Sequence, residues 1–171
     1  MRTLETDEGT TIKVLRGAVA GGIAGAVASF AMDRFQAVVS EFRSSGDDNE
    51  ISEPATEQAA DAVAKQLTGH ELPPATKPLA GQSIHYALGV GLGIIYGIAA
   101  ELRPSSTAGY GTGFGVATAT LLDEAAVPAV GLGTAPWHTD LSTNLYSYAS
   151  HLVFGVTSEL VRRQVAGTLR T

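Results

Sequence analysis

The polar and apolar positions of this 171-residue chain divide it into four uncharged stretches separated by polar segments. No charged residue lies in 17–32 or 104–122, and the ionisable residues within 78–100 and 141–158 are His85 and His151. Extended to their natural limits, the stretches run over 12–33, 81–102, 107–129 and 141–162. A helix of about 20 residues, rising ~1.5 Å per residue, spans a ~30 Å hydrocarbon core. The pattern predicts four transmembrane helices.

Within each stretch, small residues recur at every fourth position and an ionisable residue ends the row. Residues four apart share one face of a helix. Glycine there costs about 1 kcal/mol against alanine in a water-soluble helix, whereas in a bilayer small faces let helix backbones pack closely. The rows are Gly17, Gly21, Gly25, Ser29 and Asp33; His85, Gly89, Gly93, Gly97 and Glu101; Gly111, Gly115, Ala119 and Asp123; and His151, Gly155 and Glu159.

Two other interpretations of the apolar stretches are disfavoured. A soluble four-helix protein with alanine-rich seams would need a polar outer face, which these helices lack. Lys13 and Arg16 before an apolar run that ends in Ala26, Val27 and Ala28 imitate a signal peptide with its cleavage site. The segment before that run is acidic, however, and the apolar pattern recurs later in the chain. The first helix is therefore expected to be retained.

The four stretches form an internal repeat. Residues 25–33 align with 115–123, and residues 96–102 align with 154–160, so the first helix matches the third and the second matches the fourth. A unit of two spans enters the membrane the same way each time, which makes the repeats parallel. The sequence predicts an all-α, polytopic membrane four-helix bundle, a single domain over 1–171, built from two parallel-repeat helical hairpins.

Positive charge sets the expected orientation. Lys and Arg flank the first helix, follow the second at Arg103 and follow the fourth at Arg162, Arg163 and Arg170, whereas the connection 124–140 has none. Cytoplasmic loops carry this excess, so both termini are predicted to be cytoplasmic. Trp137, in the connection on the other side, fits an aromatic belt at the membrane surface.

The extramembrane loop 34–80 is predicted to hold further structure. Residues 44–53 are polar and acidic and are expected to be mobile. In 56–67, Ala59, Val63 and Leu67 have helical spacing, and Gly69 follows as a stop. This pattern indicates a short amphipathic helix at the outer interface.

Composition narrows the function classes. The chain has 11 Lys and Arg against 17 Asp and Glu, a formal net charge of −6, and no cysteine. This acidic balance argues against nucleic acid as a partner, and thiolate metal sites are excluded. The glycines lie inside apolar helices rather than in a phosphate-binding loop, and no nucleophile–base pair can be named. We expect no enzyme activity and no cofactor, and the lipid bilayer as the partner.

The ionisable residues divide by membrane side. The inner-side acids Glu101 and Glu159 have Arg103, Arg162 and Arg163 within two turns, which favours structural ion pairs. His151 lies near mid-membrane, where a hydrogen bond to another helix is the commoner role. The outer side holds a candidate proton or ion cluster: Asp33, His85, Asp123, Glu124 and His138.

Asp33 and Asp123 occupy equivalent steps of the repeat, so they are candidates for two carboxylates that share a proton. His85 would complete a proton relay or bind a metal. The alternative is that Asp33 pairs with Arg34 and His85 bonds a backbone carbonyl. No close pair of metal ligands has the spacing of a di-metal bundle, and the two intramembrane histidines sit at unmatched depths for haem, so no metal site is predicted.

The second half of the chain carries a set of spaced motifs. They are His85 with Glu101 sixteen residues later and Tyr96 between, then Pro104, Pro136 with Trp137, and the stretches 150–154 and 158–163. In this set the chain resembles the YagU-like family of bacterial inner-membrane proteins, over roughly 12–165. Ser150 and Phe154 stand where the family pattern has glycine and tryptophan. The resemblance implies a polytopic protein of the bacterial inner membrane and brings no settled activity, cofactor or catalytic residue.

Two functions remain as hypotheses. The first is a small inner-membrane bundle that handles protons or a small ion through the outer cluster. The second is a non-catalytic accessory or scaffolding subunit of a larger membrane complex, whose glycine faces dock other helices. The sequence leaves open whether those faces pack within one chain, in a homo-oligomer or against another protein.

Overall fold

The chain is helical throughout the part that the structure describes. The computed structural model describes residues 2–43 and 54–170, with the side chains of 2–8, 43 and 136 left out, and contains no strand over those ranges. The predicted mobile acidic segment, 44–53, lies outside the described residues. The all-helical class is confirmed.

The first helix, α1, is longer than the sequence predicted. It runs over Arg2–Arg43, whereas the predicted span covered 12–33. Its 42 residues correspond to a length of about 63 Å, twice a hydrocarbon core. The polarity pattern marks where an apolar stretch ends, but a helix continues until a breaker interrupts it, and 34–43 contains neither glycine nor proline.

Helices α1 and α3 (Lys77–Leu102) pack antiparallel through their glycine rows. A Cβ built at Gly17 would lie 2.6 Å from the Gly97 carbonyl oxygen, and one built at Gly93 would lie 2.8 Å from Gly25 Cα. Gly25 in turn meets Gly89. No larger side chain fits at these positions, so the glycines permit backbone-to-backbone contact. These two glycine faces therefore pack within one chain.

A second small-residue face of α1 belongs to its contact with α6 (Leu141–Thr168). Ala20, Ala24 and Ala28 are at most 1 % exposed, and Ala28 packs in a core with Met32 of α1 and Phe154 of α6. On α6 the fully buried Ser150 and Ser158 repeat with the same periodicity. The central helix of the fold is α1, because it contacts both α3 and α6 extensively.

The third predicted span, 107–129, is not one α-helix. Gly109 and Gly111 adopt φ values of 78° and 85°, and after this break α4 covers Thr112–Thr118. It continues as a π-helical segment over Ala119–Ala126 and ends in a short helix, α5, over Val127–Ala129. Gly111, predicted inside a helix, is the residue before it, in a left-handed conformation that glycine adopts without strain.

Helices α4 and α6 also pack glycine against glycine, with a register that differs from the predicted repeat alignment. Gly155 sits between Gly111 and Gly115, as Gly93 sits between Gly21 and Gly25. The sequence alignment had matched Gly155 with Gly97, one turn away. Short apolar matches cannot distinguish registers that differ by a full turn, because both keep the same helix face.

The amphipathic helix predicted at 56–67 is present as α2, which covers Ala55–Thr68. Gly69, at φ 77°, ends it by donating its N–H to the Lys65 carbonyl. Helix α2 packs on α3, where a Cβ at Gly81 would lie 3.0 Å from the Glu57 backbone nitrogen.

The loop that follows α2 is held by Asp61, which accepts the Leu72 N–H at 2.6 Å and lies 3.2 Å from Lys77. The Leu72 N–H, with help from Lys77, holds the pKa of the Asp61 carboxyl below its ordinary value of 3.8 although partial desolvation opposes this shift.

Two of the described helices are long and apolar enough to cross a membrane, by length and composition. They are Gly9–Phe42 within α1 and Lys77–Leu102, which is α3. Large apolar side chains on α1 are also widely exposed, with Leu15 61 % and Phe30 55 % accessible. These features weakly suggest a membrane protein, because soluble proteins rarely expose long apolar faces.

Candidate functional site

Glu101, predicted to be an inner-side acid, lies in a cluster of arginines from distant parts of the chain. Arg16 Nε donates to Glu101 at 2.8 Å, Arg170 donates at 2.7 Å, and Arg162 lies 3.7 Å away. The antiparallel glycine packing explains Arg16, because it aligns the start of the α1 row with the end of the α3 row. The sequence had offered Arg103 as the neighbour, which is wrong for Glu101: Arg103 is exposed beyond the helix end.

The second inner-side acid, Glu159, is completely buried. Arg162 donates to both of its carboxylate oxygens at 2.8 Å, and Arg163 and the Tyr96 hydroxyl, at 2.8 Å, also donate to it. The predicted pairing of Glu159 with the two arginines that follow it is found. Tyr96 stacks on Phe114 with centroids 4.2 Å apart, so this cluster joins α3, α4 and α6.

On the opposite side, Asp33 of α1 lies against His85 of α3. His85 Nε2 is 3.2 Å from Asp33 Oδ1 without hydrogen-bond geometry, and Gln82 Nε2 donates to Asp33 Oδ2 at 2.7 Å. The alternative partner, Arg34, instead lies over the Phe30 ring at 5.4 Å. Asp33 and His85 therefore form a carboxylate–imidazole contact at the end of the α1–α3 glycine rows that lies opposite Glu101.

A second carboxylate–imidazole contact joins the π-helical segment to α6. The Ser147 hydroxyl donates to Asp123 Oδ2 at 2.6 Å, and His151 Nδ1 lies 3.5 Å from the same oxygen. His151 Nδ1 is also 3.0 Å from the Ser147 carbonyl, which can only accept, so this nitrogen carries the proton. Neutral His151 then has its Nε2 as an acceptor. The His151 hydrogen bond therefore lies within α6, whereas the sequence predicted a hydrogen bond from His151 to another helix.

A cavity of about 340 Å³ lies between the helices at this level. Its polar lining comes from seven residues: Ser29, Gln36, Thr56, His85, Thr118, Asp123 and His151. Apolar side chains form most of the remainder, and α2 contributes a wall through Ala55, Thr56 and Ala59. The cavity therefore brings one carboxylate and two imidazoles together inside apolar surroundings. That volume is typical of a small-molecule pocket and far exceeds one water, at roughly 30 Å³.

The structure separates the predicted outer cluster into parts. His85 and Asp123 line the cavity, and Asp33 reaches it through His85. Glu124 is half-buried and His138 is exposed beside Trp137; neither belongs to the cavity lining. Each of the two aspartates lies against its own histidine on a neighbouring helix, and a proton shared between the two carboxylates stays a prediction.

Several residues that line the cavity or hydrogen-bond to its aspartates were not predicted from the sequence. Ser29 was read only as a member of a packing row, and Thr118, Ser147 and Gln82 were not singled out. Ser147 had a usable signal, because it lies one turn before His151 on the same face. Among the described residues, no group of three or more His, Asp or Glu has the arrangement of a metal site.

No protein-family model, curated protein or solved structure matches this chain.

Proposed function

We propose that this chain is an integral protein of the bacterial inner membrane that handles protons or a small ion through its outer carboxylate and histidine residues. The observation that carries the proposal is the cavity, which Asp123, His85 and His151 line together with apolar side chains. Imidazole and carboxylate groups close together exchange protons near neutral pH. The weak resemblance to the YagU-like family is consistent with this location.

The architecture that we propose is a four-helix bundle of two hairpins. The first hairpin is α1 with α3, and the second is the α4–α5 region with α6. Each hairpin packs through glycine, and each carries an aspartate against a polar group of its partner helix. This common plan supports duplication, with the one-turn register shift described above. Both termini would face the cytoplasm, and α2 would lie at the outer interface.

The cavity and the arginine cluster lie at opposite ends of the hairpins. This separation supports a structural role for the acids at one end and an ion-binding role for those at the other. The inner acids are each held by two or more arginines, so their charge is compensated. The lining of the cavity contains no lysine or arginine among the described residues. A carboxylate without a neighbouring cation is the one available to bind a proton or a cation.

The accessory-subunit hypothesis required glycine faces that are free to dock other helices. The rows on α1 and α3 contact each other, as do Gly111 and Gly115 with α6. No observation on the described residues favours that hypothesis, and we do not propose it.

Proton flux in liposomes tests the proposed function. Purified protein is reconstituted with an internal pH dye, and a potassium diffusion potential drives proton entry. We expect flux above that of empty liposomes, and its loss in Asp123→Asn and in Asp33→Asn. Glu124→Gln is the matched control, because this neighbouring acid lies outside the cavity lining, and it should retain flux. Unchanged flux in the double variant of Asp33 and Asp123 would contradict the proposal.

A further inference from the structure

The cavity holds polar atoms whose hydrogen-bonding capacity is unused. The Ser29 side chain is 0 % exposed, lines the cavity, and its Oγ has no hydrogen-bond partner. His85 Nε2 is likewise buried without a hydrogen bond. A buried polar atom without a partner costs roughly 1–3 kcal/mol, so such atoms usually have a ligand, an ion or a water to bind.

The acceptor atoms without a partner and the Asp123 carboxylate favour a ligand that donates hydrogen bonds and carries a positive charge. Asp123 accepts a hydrogen bond from the Ser147 hydroxyl and lies beside the His151 ring, and the acceptors that remain are Ser29 Oγ and, in the neutral ring, His151 Nε2. An anion would meet Asp123 in the lining and Asp33 behind His85, so it would be repelled. Charge complementarity therefore favours a cation with N–H groups.

The apolar part of the lining favours a cation that carries an apolar group. Met32, Leu92, Leu122 and Phe154 form a continuous part of the wall. A strongly hydrated metal ion would not contact the apolar part of this wall, whereas an organic cation would bury apolar surface there. Phe154 also offers an aromatic ring, which attracts cations.

We propose that this cavity binds a small hydrophobic ammonium compound, with its N–H groups on Asp123 and Ser29 and its apolar body against Met32, Leu92 and Phe154. The inference rests on the proposed function, since it names the substrate class of that site. Proton and ammonium ion would compete for Asp123, so binding of one displaces the other.

The competition predicts the direction of the pH effect. Protonation of Asp123 removes the charge that binds the ammonium ion, so affinity should fall as pH falls. Protonation of His151, which lies beside Asp123, or of His85, which lines the same cavity from α3, acts in the same direction by repulsion. The other titratable groups nearby are acids: Asp33, which lies against His85, and Glu124, which follows Asp123 in the chain. The ammonium compound itself stays protonated at and below neutral pH, because alkylamines titrate near pH ~10.4, as lysine does.

The test measures binding of 2-phenylethylammonium to the full chain in lipid nanodiscs by titration calorimetry, with empty nanodiscs subtracted. Propylbenzene, which has a methyl group in place of the ammonium, is the neutral counterpart. We expect Asp123→Asn to weaken ammonium binding roughly 10- to 100-fold and to leave propylbenzene binding unchanged. Acidification should weaken ammonium binding in the wild type, and less in Asp123→Asn, where only the two histidines can gain charge.

Two further variants keep the result interpretable. Glu124→Gln should bind both probes as the wild type does. Ala59→Phe, which places a ring into the cavity from α2, should weaken both probes. Equal affinity for the two probes, or unchanged ammonium affinity in Asp123→Asn, overturns the inference. Because binding is measured at equilibrium without flux, proton transport with no ammonium binding overturns the inference alone, and binding without transport overturns only the proposed function.

Discussion

At the scale of single residues, the buried carboxylate of Glu159 is the group on which the stability of the fold depends most. Glu159 is fully buried and receives hydrogen bonds from Arg162, Arg163 and Tyr96. A carboxylate in this position is stable only because its partners surround it, since burial penalises an isolated charge heavily. The same cluster ties the end of α6 to α3 through the Tyr96 hydroxyl.

Replacing Glu159 by glutamine should destabilise the protein by about 3 kcal/mol, because it leaves the buried Arg162 without its closest counter-ion. Tyr96→Phe removes one hydrogen bond and should cost about 1 kcal/mol. Glu41→Gln, at an exposed acid of α1, is the control and should have no effect. The free energy of unfolding in detergent micelles, from denaturant titration, measures all three. Equal stability of Glu159→Gln and Glu41→Gln would refute the role of this cluster.

At the scale of helices, backbone contact between glycine rows determines how α1 meets α3. The two glycines Gly93 and Gly91 of α3 are two residues apart but have opposite surroundings. A Cβ at Gly93 would lie 2.8 Å from Gly25 Cα, while nothing lies within 4 Å of a Cβ at Gly91. The pair separates the packing effect of a methyl group from its effect on helix propensity.

Gly93→Ala should destabilise the protein by about 1–3 kcal/mol, because the added methyl group forces the two backbones apart. Gly91→Ala should be neutral or stabilising by up to about 1 kcal/mol, because alanine favours the helix. Denaturant titration of both variants in the same detergent checks the difference. If the two substitutions have the same effect, α1 and α3 do not pack through this row.

The sequence predicted the elements of the fold more successfully than their ends. The apolar stretches located α3 and α6, and Gly69 located the end of α2, because a glycine stop acts through the local backbone. The break at Gly109 and Gly111 was missed, since glycine in a small-residue row looks the same whether it is helical or left-handed. The π-helical segment that carries Asp123 has no signature in the apolar pattern.

At the scale of the whole molecule, the proposed membrane orientation assigns a side to each connection. The connection 124–140 would be outside, and the short turn after α3 would be cytoplasmic. Since the chain has no cysteine, a single introduced cysteine reports on one position without further mutation. Thr134 and Ser106 are exposed residues in these two connections.

We expect a membrane-impermeant maleimide to label the Thr134→Cys variant in intact bacterial cells, and to label Ser106→Cys only after the inner membrane is permeabilised. The reason is that the reagent cannot cross the bilayer to the cytoplasmic side. Mass shift of the purified protein measures the labelling. Labelling of both variants in intact cells would refute this orientation, and recovery of the protein in the soluble fraction would refute the membrane proposal itself.

The sequence by itself determined the helical class, the apolar stretches, the small-residue faces and the ionisable residues that end them. These are periodic or compositional properties, and a helix displays them through local geometry alone. Only the tertiary structure decided that the glycine rows of α1 and α3 face each other, that Arg16 and Arg170 reach Glu101, and that Ser29, His85, Asp123 and His151 line one cavity. These contacts join residues up to 122 positions apart along the printed sequence, from Ser29 to His151. A repeat of every fourth residue fits several registers and several partner helices, and only packing of the whole chain selects one.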